Sequence, residues 1–192
     1  MEVIPALLAF GVRRNELITA IKSGALFFYP TDTIYGIGCD ATNEKAVSKI
    51  REIKNRNDKA FSIIPPSKAW VSENCEETSS YRELLSKNNV AYTAILSMVN
   101  EKALAPSVLL TKQTVGIRFP KHEITGFVRE LGLPIVTTSM NISPSKPLAS
   151  LENIPEELSK GVMFAIDEGV LGGSPSTLYN CTGEHLLPMV RV

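Results

Sequence analysis

Short apolar runs bounded by glycine or proline alternate along this chain with stretches whose apolar residues recur every three or four positions. Residues 25–29, closed by Pro30, predict a strand buried on both faces, and 60–64, 134–138 and 162–166 read as further strands. Helical spacing covers 16–23, ended by Gly24. It returns over 44–56, where Asn43 suits the N-cap and Ala46, Val47, Ile50 and Ile53 form the buried stripe. Lys45, Lys49 and Arg51 lie off that stripe and are expected to face solvent. Helices are also predicted at 68–74, 81–87, 123–131 and 155–159. Three strand-like runs, 92–99, 107–111 and 115–119, follow one another without a helix, which implies an antiparallel portion.

This alternation predicts an α/β fold, one domain over residues 1–192. Its open, twisted sheet is expected to be mainly parallel with antiparallel additions, hence mixed, with helices packed on it and loops at strand ends forming a cleft. The apolar stretch 4–10 is too short to span a membrane, and Arg13 and Arg14 follow it where a signal peptide would place cations first. It reads as a packed terminal arm. The loop 141–150, with Pro144 and Pro147, and the Gly172-Gly173 turn are the segments expected to move most.

Composition narrows the function. Twenty Lys and Arg balance twenty Asp and Glu, so no global field draws in nucleic acid and any cationic site must be local. Cys39, Cys75 and Cys181 are odd in number and widely spaced, indicating neither a disulfide framework nor a zinc site, and fitting a reducing cytoplasm.

The richest chemistry lies in Tyr29-Pro30-Thr31-Asp32-Thr33-Ile34-Tyr35-Gly36-Ile37-Gly38-Cys39-Asp40, followed after one helix by Lys54, Arg56 and Lys59. Gly36 and Gly38 are expected to allow close backbone approach by a substrate. Other strands run into hydroxyl or amide clusters at 114–120, 134–143 and 174–180, and such clusters bind phosphate and carboxylate oxygens, with arginine adding a bidentate fork. Rival sites are poorly supported. Ala41 replaces the third glycine of a dinucleotide fingerprint, and no GxxxxGK[ST] loop is present. His122 and His185 read as surface residues, Cys39 as a small core residue, and Asp40, Asp167 and Glu168 lack the spacing of a metal loop.

Lys54-x-Arg56 with Ser139-x-Asn141, preceded by Pro30-Thr31-Asp32-Thr33-Ile34-Tyr35-Gly36 and joined by Arg118-x-Pro120 and Ser176-Thr177, resembles the YrdC-like threonylcarbamoyl-AMP synthases. The likeness runs in order over residues 15–191. It implies a YrdC-like fold and the ATP-dependent condensation of L-threonine with bicarbonate to L-threonylcarbamoyl-AMP, releasing pyrophosphate. Lys54, Arg56, Ser139 and Asn141 would be catalytic. Thr33, Arg118 and Ser176 would bind threonine, and Lys54, Arg56, Lys59, Thr114, Ser139, Asn141 and Arg191 would hold ATP, its phosphates bridged by Mg²⁺. The product would serve a tRNA-modifying threonylcarbamoyl transferase complex in the cytoplasm; some members of the family bind RNA, but the neutral composition argues against strong binding, and no membrane role is implied. The chain departs from the family in having Asn89-Val90-Ala91-Tyr92-Thr93 for Pro-Gly-Pro-x-Thr, in Asn57 and Ala60 where prolines are usual, and in stopping just after Arg191, without the C-terminal domain of longer relatives. Two alternatives stay open: a related carbamoyl-handling enzyme, or a non-catalytic paralogue binding nucleotide or double-stranded RNA.

Overall fold

The computed structural model describes every residue except 57, 88–90, 111, 143–144 and 190–192. In chain order its elements are β1 (Glu2–Pro5), α1 (Ala6–Ala9), α2 (Arg14–Lys22), β2 (Leu26–Tyr29), β3 (Gly36–Gly38), α3 (Glu44–Lys54), β4 (Ser62–Ile64), α4 (Lys68–Asn74), α5 (Ser79–Ser86), β5 (Tyr92–Ser97), α6 (Pro106–Leu109), β6 (Thr114–Ile117), α7 (Glu123–Leu131), β7 (Ile135–Ser139), α8 (Glu156–Ser159), β8 (Val162–Asp167), β9 (Thr177–Asn180) and β10 (Leu187–Met189). The helix starts follow the capping rules: the Asn43, Ser67 and Thr78 side chains accept from the backbone N–H three residues on, satisfying donors that the first turn leaves free. Gly132 and Asn55, both left-handed, stop α7 and α3. Because Asn55 turns the chain, α3 ends at Lys54 and Arg56 leaves the helix axis.

The strands form one sheet in the order β1-β8-β2-β3-β7-β4-β6-β5-β9-β10. It is mixed, as expected, but not mainly parallel: only β1–β8, β8–β2, β4–β6 and β5–β9 pair in parallel. Strand β3, which was not foreseen, accounts for part of the difference. It brings the chain back after Pro30 and pairs antiparallel with both β2 and β7. The terminal arm becomes the edge strand β1 and the short helix α1.

Two sequence expectations are corrected here. The 107–111 run is not a strand; residues 106–109 form α6, with Thr111 outside the described residues. Pro106 sits at its start, where the missing N–H is not needed, and Val108 and Leu109 are buried. Arg51, expected in solvent, is only 6% exposed. Helix α6 packs against α3 on that side, and the guanidinium finds carbonyl partners in the space between them: its Nε donates to Ser107 O at 2.6 Å.

Alternation along the strands feeds two cores. Phe28 points with α3, α4, α5, α6 and α8 into one core. Phe27 and Tyr29 point with α2 and α7 into the other. That second core draws on β1, β8, β2, β7 and β4, but on no residue of β5, β6 or β9. The sheet is thus covered by helices on both faces along one half, whereas along the other half one face lacks its helical layer.

Gly36 and Gly38 also do something that the sequence did not suggest. A Cβ on Gly38 would lie 2.5 Å from Val136 O and 2.9 Å from the Tyr29 ring, and one on Gly36 would lie 2.9 Å from that ring. These glycines make room for a fully buried tyrosine, whose hydroxyl burial raises its pKa. Gly38→Ala should therefore cost about 1–3 kcal/mol, as other overpacked cores do, read as a lower urea midpoint with an unchanged slope. An unaltered midpoint would contradict this packing role.

Candidate active site

A cleft of about 160 Å³ lies on the uncovered face. Its floor follows from register: Thr137, Ser62, Gly116 and Ile95 stand opposite one another across β7, β4, β6 and β5, and side chains in such a row share a face. Gly36 stands beside Ser139, and Thr93 beside Leu178. All of these residues except Gly116 line the cleft, together with Thr31, Arg56, Arg118, Thr138 and Ser176. Gly116 keeps the floor open, because a Cβ there would sit 2.3 Å from Ser62 Oγ. The result is a hydroxyl-rich surface with two guanidinium groups, suited to anions.

Arg118 follows β6 and is held by the loop after β2. Its Nη2 donates to Asp32 Oδ1 and Thr33 Oγ1, both at 2.6 Å. Asp32 is itself fixed, its other oxygen accepting from Lys121 N at 3.1 Å. Among the described residues the Arg118 side chain donates only through Nη2, so its remaining edge is available to a carboxylate. Across the cleft Thr93 and Ser176 share a buried 2.7 Å hydroxyl contact. At Gly173 a Cβ would fall 2.2 Å from Thr33 O, so the strap leading to Ser176 lies directly on the Thr33 backbone.

Arg56 forms the other cationic pole. Its Nη1 donates to Thr138 Oγ1 at 3.3 Å and its Nη2 to Ala60 O at 3.0 Å, while its face lies 5.3 Å from the Phe61 ring centre. Its Nε is buried without a hydrogen-bond partner among the described residues. Burial, then the neighbouring Arg51 charge, lowers its pKa.

Lys54 is the least exposed of the sequence-predicted cations, at 0%. Its Nζ donates to Ser139 O (2.5 Å), Asn141 O (2.8 Å) and Asn141 Oδ1 (2.8 Å), and that same Oδ1 accepts from Ser139 Oγ at 2.5 Å. The ammonium therefore ties the end of α3 to the turn after β7 and does not line the cleft. Burial, and after it the Arg56 charge, pushes its pKa down to about 7.

The structure brings together Arg56, Ser139, Arg118, Thr33 and Ser176, with Lys54 and Asn141 directly behind. It does not bring Thr114 to the cleft. That residue starts β6 opposite Ser97, roughly 13 Å along the strand from Arg118 at about 3.3 Å per residue. Lys59 is exposed and off the lining, and Arg191 falls outside the described residues, as do Asn89 and Val90 of the altered turn and Asn57. Ser62 and Thr137 were missed. Their registered positions on facing strands were the available signal, but it needed the sheet order. His122 is not a simple surface residue either. It caps α7, its Nδ1 accepting from Ile124 N at 3.1 Å and its Nε2 lying 2.7 Å from Glu168.

The site defines a class of open α/β proteins with a paired-arginine, hydroxyl-lined cleft, and comparison with known proteins identifies which. The Sua5_yciO_yrdC family model, described as "Telomere recombination", matches residues 19–191. The putative threonylcarbamoyl-AMP synthase of Methanocaldococcus jannaschii is 31% identical over 170 residues, covering 87% of this chain and 79% of the relative. Among solved structures, P. abyssi Sua5 complexed with L-threonine superposes with a TM-score of 0.79 at 27% identity, over 93% of this chain and 53% of that one; this chain thus spans about half of its length. E. coli YciO, at 24% identity, shares the fold with a TM-score of 0.82 over 97% and 92% of the two chains. The chain belongs to the Sua5/YciO/YrdC family, the one its motifs resemble.

The Lys54 environment predicts a pH dependence. The folded chain releases the Lys54 proton near pH 7, whereas an unfolded lysine keeps it to about 10.4. Between these values the unfolded state binds more protons, so raising the pH favours folding. Urea midpoints of wild type relative to Lys54→Met should accordingly rise from pH 7 to 10. A difference that stays flat would show that Lys54 remains protonated throughout.

Proposed function

We propose that this chain condenses L-threonine, bicarbonate and ATP to L-threonylcarbamoyl-AMP and pyrophosphate. The observation that carries the reading is one cleft with two separately held guanidinium groups, Arg118 and Arg56, in a family whose P. abyssi Sua5 has been solved with L-threonine. In this reading the threonine carboxylate takes the remaining edge of Arg118, with Thr33 and Ser176 beside it. The triphosphate lies along Arg56 and the Ser139 hydroxyl, with Lys54 and Asn141 fixing that hydroxyl from behind.

The reaction adds the threonine amine to bicarbonate, losing water to give a carbamate. A carbamate oxygen then attacks the α-phosphorus as pyrophosphate leaves. Two anions must meet, and the carbamate decomposes in water, so the protein's tasks are charge neutralisation, in-line placement and exclusion of solvent. The paired arginines serve the first, the fixed hydroxyls the second and the strap over Thr33 the third. No group of three or more His, Cys, Asp or Glu among the described residues is arranged to hold a metal, so a magnesium ion would ride mainly on the nucleotide phosphates, where it would offset their charge.

The product suits a downstream tRNA-modifying threonylcarbamoyl transferase, and a reducing cytoplasm fits three buried free cysteines. Among the described residues no helix is long and apolar enough to cross a membrane.

Incubation with ATP, bicarbonate and threonine, with pyrophosphate and the acyl-adenylate followed by mass spectrometry, tests this. Release should require all three substrates; RNA binding without turnover would overturn the reading. A charge-assisted hydrogen bond contributes about 1.5–3 kcal/mol, or roughly 10- to 150-fold. Arg118→Ala should raise the threonine KM by that factor and change the ATP KM little, and Arg56→Ala should do the reverse. Equal effects of both variants on both substrates would contradict the two-pole assignment.

A further inference from the structure

We propose that Arg51, which lines no part of the cleft, is a positioning residue that sets the nucleotide-facing conformation of Arg56; the assignment rests on reading the Arg56 end of the cleft as the ATP site. A guanidinium this deeply buried needs several acceptors to offset lost hydration, and among the described residues no carboxylate lies within ion-pair distance of it. Its partners are instead main-chain carbonyls from two segments. Nη1 donates to Arg56 O at 2.8 Å and to Lys59 O at 3.1 Å, and Nε donates to Ser107 O at 2.6 Å. Its own carbonyl accepts from Arg56 N at 3.1 Å. The N–H and the C=O of residue 56 are thus both held by one residue of α3.

The aromatic ring beside it completes the clamp. Phe61 carries the Arg51 guanidinium at 4.3 Å and that of Arg56 at 5.3 Å, and its own N–H donates to Val108 O at 3.0 Å. Two like charges on one ring repel each other, which is part of what lowers the pKa of Arg56. An anion at Arg56 relieves that repulsion, so the arrangement favours ligand binding over the empty state. The segment from Arg56 to Ala60 contains no proline to stiffen it. Arg51 instead holds the carbonyls of Arg56 and Lys59 through hydrogen bonds, since a planar fork loses little freedom in reaching several carbonyls at once.

Direct ATP and L-threonine titrations by calorimetry on wild type, Arg51→Met, Arg56→Met and the double variant test the proposal. Arg51→Met should weaken ATP binding at least tenfold while threonine affinity changes less than twofold, and the double variant should bind ATP no more weakly than Arg56→Met alone. Arg51→Lys keeps the charge but not the fork, and should fall between wild type and Arg51→Met; it carries the test if the methionine variant does not fold. Parallel loss of both affinities, or full additivity in the double variant, overturns the positioning role. ATP binding without pyrophosphate release would defeat the synthase reading alone and leave the Arg51 comparison intact, whereas wild type that binds no ATP overturns both.

Discussion

The helical cover on one face of the sheet stops at β4, and the site depends on that interruption. Where α2 and α7 pack, β2 and β8 present Phe27, Tyr29 and Phe164 to a dry core. Beyond it, β5 and β9 present Thr93 and Leu178 to the cleft, and among the described residues none of β5, β6 or β9 joins the helix-covered core on that face. A bare sheet face of this kind is stable only if its side chains can meet water or a ligand, which explains the hydroxyls on the floor.

Two long-range tethers convert that face into a cleft. Lys54 reaches from α3 to the turn after β7 and fixes Ser139 and Asn141. Arg118 reaches from the end of β6 to the loop after β2. Each tether buries a cation among oxygen acceptors, an arrangement that is costly to leave half satisfied. Together they hold the walls at fixed separation, and the strap at Gly173 resting on Thr33 closes one end. Gly36, which ends the motif, and Gly38 just beyond it contribute through Tyr29: without space for that ring, β3 could not lie between β2 and β7, and Ser139 would lose its neighbour on the sheet.

Much of this was legible in the sequence. Asn43, Gly24 and Gly132 marked helix ends, the buried strands announced themselves by composition, and five short motifs in order pointed to the family that the comparisons found. What stayed hidden depended on partners distant in sequence. Arg51 looked solvated because its acceptors at Ser107, Arg56 and Lys59 come from segments whose folding the helical pattern does not encode. The 107–111 run looked like a strand because three apolar residues cannot separate the two periodicities, and Pro106 was the only hint of a helix start. Thr114 shared a motif with Arg118, but strand geometry carried the two to different ends of β6. The packing role of Gly36 and Gly38 stayed hidden because the ring they accommodate lies on another strand.

The most direct test of the central claim is a crystal structure of the protein with a non-hydrolysable ATP analogue and L-threonine. Both ligands should lie on the uncovered face, with the triphosphate against Arg56 and Ser139 and the amino-acid carboxylate on Arg118 beside Thr33. Nucleotide bound away from that face, or both ligands seated without touching either arginine, would contradict the account.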